Sequence, residues 1–183
     1  MNYDLILGIF NIVLISTTPL VFAGIGELVT EKSGVLNLGL EGLMLVGAVS
    51  GFISLVITGN YFYSFMLSIL SGVVLSSIFA FFVLRLLTNQ IATGLALTIF
   101  GIGLSAMLGK KFAGTPINGL NPYYLIIFSF ILVFLINYIL YKTKVGLIIR
   151  AVGENHNSAY ALGYDVIKTR YLTIIFGGVM SSL

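Results

Sequence analysis

The sequence predicts an all-α fold, a polytopic membrane helix bundle with about five complete transmembrane helices and a partial sixth. Three observations predict it. Of the 183 residues, 58% are hydrophobic and only 8% charged, against about 25% charged in ordinary soluble domains. Charge-free runs recur at about the 20 residues that a helix needs to cross the hydrocarbon of a bilayer. Lys and Arg are concentrated in one stretch, 142–170, as expected of residues that set topology. A chain so poor in charge has too few polar groups to cover a folded surface in water. In lipid that surface can be apolar.

The elements follow in order. Residues 5–26 carry no charge and form the first span; Pro19, after Thr17 and Thr18, predicts a kink because it removes a backbone donor. From Gly42 to Leu84 there is again no charge. That run is too long for one crossing, and Thr58, Gly59 and Asn60 divide it into spans at 36–57 and 61–84. A fourth span covers 89–109. A fifth covers 123–141, with Tyr123, Tyr124, Tyr138 and Tyr141 at its ends like interfacial belts. A sixth begins at Tyr171. Residues 171–183 would rise roughly 20 Å as a helix, short of the roughly 30 Å of hydrocarbon. The chain therefore reads as one domain, 1–183, that is part of a longer one.

Positive charge sets the orientation. Lys142, Lys144, Arg150, Lys168 and Arg170 place 142–170 in the cytoplasm. Alternation then puts Lys32 and Arg85 on the same side, and Lys110, Lys111 and the N-terminus outside. The net charge of +3 is thus a topology signal and not a nucleic-acid one. No cleavable signal peptide is evident, since residues 1–4 contain Asp4 and neither Lys nor Arg. The chain has no cysteine, which excludes disulfides, thiolate nucleophiles and cysteine metal sites. Gly47 with Gly51, and Gly101 with Ser105 and Gly109, form small-residue stripes that let helices approach closely.

Three interruptions in the apolar background carry chemical information. The first runs from Gly24 to Gly42 and contains Glu27, Glu31, Lys32, Gly34, Asn37, Gly39 and Glu41. Polar groups at membrane depth are costly and usually face a bundle interior or a watery path. Asn37 and Glu41, four apart, share a face if the stretch is helical. Two readings stand side by side: a hinge-like element beside a solute path, or an interfacial loop in which Asn37 and Glu41 cap and pin helices. The second interruption is Asn89 and Gln90, which could line a path, although a helix cap at Asn89 is the better reading from chemistry. The third is the connection 142–170, long enough to have structure of its own. In it Asn157 or Ser158 is read as the N-cap of a short helix ending at Gly163. Such a helix would gain stability by docking in a partner's groove, but composition alone favours an ordinary amphipathic surface loop whose positive charge serves only topology.

These same residues resemble a known family. Thr18, Pro19 and Leu20, then Gly24 to Glu27, then Glu31 to Met44, are similar to the signature of permease subunits of bacterial ATP-binding-cassette importers. The importers are those of the nucleoside and simple-sugar class, ribose-like and of branched-chain amino acid type. Asn89 to Leu97 resembles a second block of that family. Gly146 to Asn155, with Ala159, Gly163, Arg170 and Tyr171, resembles its cytoplasmic coupling segment. The blocks occur in order over nearly the whole chain. Two departures stand out: the family's C-terminal spans are missing, and His156 stands where relatives often have proline.

The resemblance implies a transmembrane permease domain in the bacterial cytoplasmic (inner) membrane, crossing the lipid several times. It implies three protein partners besides lipid: a second permease subunit, cytoplasmic ATP-binding subunits and an extracytoplasmic solute-binding protein. No catalytic residue, cofactor, metal or nucleic acid is expected, because ATP hydrolysis would reside on a partner. Glu27, Asn37, Glu41, Asn89 and Gln90 become candidates for the solute path. Arg150, Gly153, Glu154, Asn155, Ala159 and Gly163 become candidates for coupling to the ATPase, so that replacing Gly153 and Glu154 should uncouple hydrolysis from uptake. The rival readings are an intramembrane enzyme, whose acids and bases would have to be Glu27, Glu41, His156 or Asp165, and a non-functional truncated permease. No nucleophile motif supports the enzyme, since Gly103, Leu104 and Ser105 are not followed by a second glycine.

Overall fold

The computed structural model describes residues 3–117, 119 and 121–183, so that Met1 and Asn2, at the N-terminus expected outside, lie beyond the described residues. Five helices are long and apolar enough to cross a membrane, and all regular structure among the described residues is helical. Helix α1 is Tyr3–Lys32, longer than the predicted 5–26. Glu27 and Glu31 do not end it, because a helix readily continues through them and Lys32 suits its C-terminal dipole. It also runs without a break through Pro19. The hydroxyls of Thr17 and Thr18 donate to the carbonyls of Val13 and Leu14, each at 2.9 Å, in the turn before the proline.

Helix α2 is Leu40–Thr58 and ends at Gly59, whose φ of 66° is the left-handed conformation of a glycine cap. Asn60 caps α3, Tyr61–Ala80, which closes in a π-helical turn over Phe81–Arg85. Asn89 caps α4, Gln90–Gly109, and Asn121 caps α5, Pro122–Lys142, with proline in its first turn where no donor is missed. The connection that follows is helical. Thr143 caps α6, Lys144–Glu154, which buries Gly146, Ile149 and Val152. Then come α7, His156–Ala161, and α8, Val166–Ser182, capped by Asp165.

Packing gives the sixth predicted helix an unexpected place. α8 lies at the centre, against α1, α2 and α3, while α4 packs on the outside of α2 and α5 on α1. The small residues make this possible. A Cβ on Gly26 would stand 2.9 Å from the carbonyl oxygen of Gly177, and one on Gly101 would stand 2.5 Å from Gly42 Cα. The predicted stripe on α2 faces two helices: Gly47 meets Ser182 of α8, and Gly51 meets Ser64 and Ser68 of α3. Serines then use the closeness. Ser64 Oγ donates to the Gly51 carbonyl at 2.7 Å, and Ser68 Oγ reaches the carbonyls of Gly47 and Ser182 at 2.6 and 2.7 Å. Tyr123, Tyr124, Tyr138 and Tyr141 are exposed at the two ends of α5, as an interfacial belt requires.

Candidate functional site

Between α1 and α2 the chain leaves the helical pattern for residues 33–39. The stretch is half-buried, with Gly34, Leu36 and Leu38 on the exposed side. Ser33, Val35 and Asn37 are buried, and Val35 belongs to the apolar core with Leu43, Phe79, Leu97 and Ile174. Buried irregular backbone needs partners for its peptide groups, and three different helices supply them. From α1, Glu27 Oε1 accepts the N–H of Asn37 at 3.0 Å. From α4, Gln90 Oε1 accepts the N–H of Leu36 at 2.9 Å, and Thr98 Oγ1 donates to the carbonyl of Leu38 at 2.9 Å. From α8, Arg170 Nε donates to the carbonyl of Ser33 at 3.1 Å. Asn37 Oδ1 closes the turn by accepting the N–H of Gly39 at 2.9 Å. A relay of hydroxyls stiffens the first corner: Thr173 Oγ1 donates to Ser33 Oγ at 2.8 Å, and Ser33 Oγ donates to the Thr30 carbonyl at 2.7 Å.

The structure brings together Glu27, Asn37 and Gln90 of the five candidate path residues. Asn89 stands beside them as the cap of α4, its Oδ1 accepting from Ile91 and Ala92 at 2.9 and 3.3 Å, as its chemistry suggested. Glu41 is set apart. The condition on which Asn37 and Glu41 would share a helix face is not met, because Asn37 precedes α2 in irregular backbone and is buried, whereas Glu41 is exposed in the first turn of α2. The predicted start of that span at residue 36 is corrected to Leu40 for the same reason. Glu27 keeps one more feature: its second oxygen, Oε2, is buried without a hydrogen-bond partner among the described residues.

Five of the six coupling candidates lie on α6, α7 and the cap between them, and Gly163 follows the C-cap of α7. Gly153 touches the 33–39 stretch directly. A Cβ on Gly153 would collide with the carbonyl of Lys32 and stand 3.1 Å from the amide nitrogen of Gly34, and one on Gly34 would stand 3.2 Å from Gly153 Cα. Gly34 also has a φ of 83°, which favours glycine on its own account. Arg150 lies over the ring of Tyr141, its Cζ 5.1 Å from the centroid, with a buried Nε that has no partner among the described residues. Glu154 ends α6 and is exposed. Asn155, not Asn157 or Ser158, is the N-cap of α7: its extended backbone separates the two helices, and its Oδ1 accepts from Asn157 and Ser158 at 3.1 Å each. Ala159 is buried, and Gly163 ends the segment with a φ of 86°. At the C-terminal end of α7, Tyr160 and Leu162 are 75% and 74% exposed, a small apolar surface.

A family model described as the branched-chain amino acid transport system, permease component, matches residues 9–183. The chain belongs to this family. Its relatives include a Haloferax volcanii protein whose name assigns it, provisionally, to glucose ABC transport as a permease, 36% identical over 194 residues. The guanosine ABC transporter permease protein of Bacillus subtilis and the nucleoside ABC transporter permease protein of Lactococcus lactis subsp. cremoris are each 28% identical, over 201 and 203 residues. Each alignment takes in 93% of this chain and 59%, 63% and 63% of the three relatives, so the chain spans about three-fifths of their length. No solved structure matches it. As a member of this permease family with five helices fit to span lipid, it is a multi-pass protein of the cytoplasmic membrane.

Sequence reasoning on this chain did not single out Thr30, Ser33, Thr98, Arg170 or Thr173 as candidate site residues, although Ser33 and Arg170 lie in the blocks that resemble the family. A threonine in an apolar run is most simply read as bonding its own preceding turn, as Thr30 and Thr98 also do here, at 3.0 Å to Gly26 and 3.3 Å to Gly94. Arg170, next to an apolar run, reads as an interfacial anchor. Neither pattern signals a long-range bond.

Proposed function

We propose that this chain is the permease subunit of an ATP-driven importer for small polar solutes of the sugar or nucleoside class. It works with a second permease subunit, cytoplasmic ATP-binding subunits and an extracytoplasmic solute-binding protein. The single observation that carries the reading is the contact of Gly153 with Lys32 and Gly34. It joins the segment resembling an ATPase-coupling element to the polar peptide that resembles the family signature. The end of the bundle that holds Lys32, Arg85, Arg150 and Arg170 faces the cytoplasm on this reading, and α7 presents Tyr160 and Leu162 to the ATP-binding subunit. Closure of that subunit pushes α6 and α7 inward. The 33–39 peptide, held by side chains from α1, α4 and α8, passes the movement to those helices and switches the bundle between its two openings. Glu27, Asn37 and Gln90 support the path by fixing this peptide, and ATP hydrolysis resides on the partner.

The solute class comes from the relatives, whose names specify glucose, guanosine and nucleosides. Titrating the cognate solute-binding protein with glucose and with guanosine distinguishes the two. The coupling claim is tested in the complete transporter in proteoliposomes. Gly153→Val places a branched side chain against the Lys32 carbonyl, and uptake is expected to fall at least about tenfold while the ATP-binding subunits stay attached and hydrolyse ATP. Unchanged uptake per ATP in that variant would defeat the reading. An intramembrane enzyme is the weaker alternative: among the described residues no cluster of three or more His, Asp or Glu side chains is placed to hold a metal, and His156 is exposed on α7.

A further inference from the structure

Three backbones and one cation meet at the Ser33 and Gly34 corner. Gly34, itself exposed, touches Gly153 of α6, and the guanidinium of Arg170 also approaches it, with Nη2 3.1 Å from where a Gly34 Cβ would be. The same guanidinium donates through Nε to the buried carbonyl of Ser33. One turn further along α8, Thr173 holds the Ser33 hydroxyl and accepts, at its own carbonyl, the hydroxyl proton of Thr30 at 3.1 Å. Arg170 forms no ion pair among the described residues, so its charge is directed at backbone alone. This is an unusual use of arginine at the edge of an apolar bundle. A planar fork can hold a carbonyl with one nitrogen and cover the next residue with another, whereas an ammonium is a single point on a flexible stem.

We infer that Arg170 is a positioning residue for transport: it clamps the Ser33 and Gly34 corner against Gly153, so that α6, the 33–39 peptide and the central helix α8 move as one body. The inference rests on the importer reading above and deepens it. Without the clamp, α6 can shift over the glycine corner while the peptide stays behind. ATP closure would then be absorbed locally and not passed to α8, which touches α1, α2 and α3. A purely structural arginine would alter the amount of assembled transporter. A clamp alters the amount of solute moved per ATP in whatever assembles.

The test uses the complete transporter, with its solute-binding protein, in proteoliposomes. Uptake of labelled glucose or guanosine and phosphate release are measured on the same vesicles. Arg170→Ala is expected to keep ATP hydrolysis within about twofold of native and to lower uptake per ATP about tenfold. Arg170→Lys keeps the charge, loses the two-point grip, and is expected to fall between the two. Should Arg170→Ala fail to assemble, Arg170→Lys carries the test, together with Thr173→Val, which removes the second hold on Ser33 at nearly constant shape and should lower the same ratio. An unchanged ratio in Arg170→Lys and Thr173→Val, in a native complex that does transport, overturns the inference alone. A native complex that hydrolyses ATP without moving either solute overturns the importer reading and this inference with it.

Discussion

The seam where α2, α3 and α8 meet and the clasp around residues 33–39 solve the same problem in opposite ways. Both bring polar backbone into an apolar interior. In the seam the backbone is helical and already satisfied, so side chains are reduced to glycine and serine and the helices touch almost directly: Gly72 against Gly178 and Ser182, Gly47 against Ser182. In the clasp the backbone is irregular, and long side chains reach in from other elements to bond it: Glu27, Gln90 and Arg170. Close packing of small residues leaves no room for a second arrangement and makes a rigid body. A peptide held by a few discrete bonds from three helices is tied to each of them, and on the importer reading it carries the movement of one to the others. On that reading, the clasp is where movement enters the bundle and the seam is the rigid body that receives it.

The seam should break hardest. A Cβ at Gly72 would stand 2.5 Å from the Gly178 carbonyl oxygen, before any further atoms are added. Gly72→Leu should therefore destabilise the bundle by about 3 kcal/mol or more, at the upper end of overpacking effects. Thermal unfolding in detergent, followed by size-exclusion chromatography, would show loss of the monodisperse species. A variant as stable as the native chain would mean that α3 and α8 are free to separate, and the rigid-body reading of the seam would fail.

The clasp allows a finer cut. Glu27→Leu leaves the N–H of Asn37 buried without an acceptor, at a cost of about 1–3 kcal/mol. Glu27→Gln keeps an amide oxygen for that N–H, so it should cost less than Glu27→Leu. Unfolding midpoints of the two variants measured side by side decide the point. Equal loss in both would mean that the charge, and not the acceptor, is what the peptide needs.

The two regions were also unequally legible in the sequence. Span number and order follow from apolar runs about 20 residues long, and the breaks at Gly59 and Asn60 and the cap at Asn89 follow from local turn chemistry. Those signals are short-range. The clasp is a long-range object, in which Ser33 meets Arg170 and Leu36 meets Gln90 only after folding. The sequence marked Glu27, Asn37 and Gln90 as polar anomalies but could not pair them, and the helix on which a shared face of Asn37 and Glu41 depended is absent at Asn37, where the chain is irregular. The central place of α8 was hidden for a different reason. The sequence placed a sixth span there, but the burial of α8 rests on glycines and serines that carry no hydropathy signal.

Glu41 supplies the smallest effect and the sharpest contrast. It belongs to the same run of polar residues as Glu27 and Asn37, yet it is exposed, and none of the clasp bonds involves it. What it touches physically is the N-terminal dipole of α2, worth about 0.3–1 kcal/mol for an exposed carboxylate. Glu41→Gln should therefore shift the unfolding midpoint barely at all and leave uptake by the complete transporter within about twofold, the range of a surface substitution. If uptake instead falls about tenfold while the fold is intact, an exposed carboxylate outside the clasp is contributing to transport. The path would then run along the outer face of α2, and the clasp would serve to transmit movement to it without lining it.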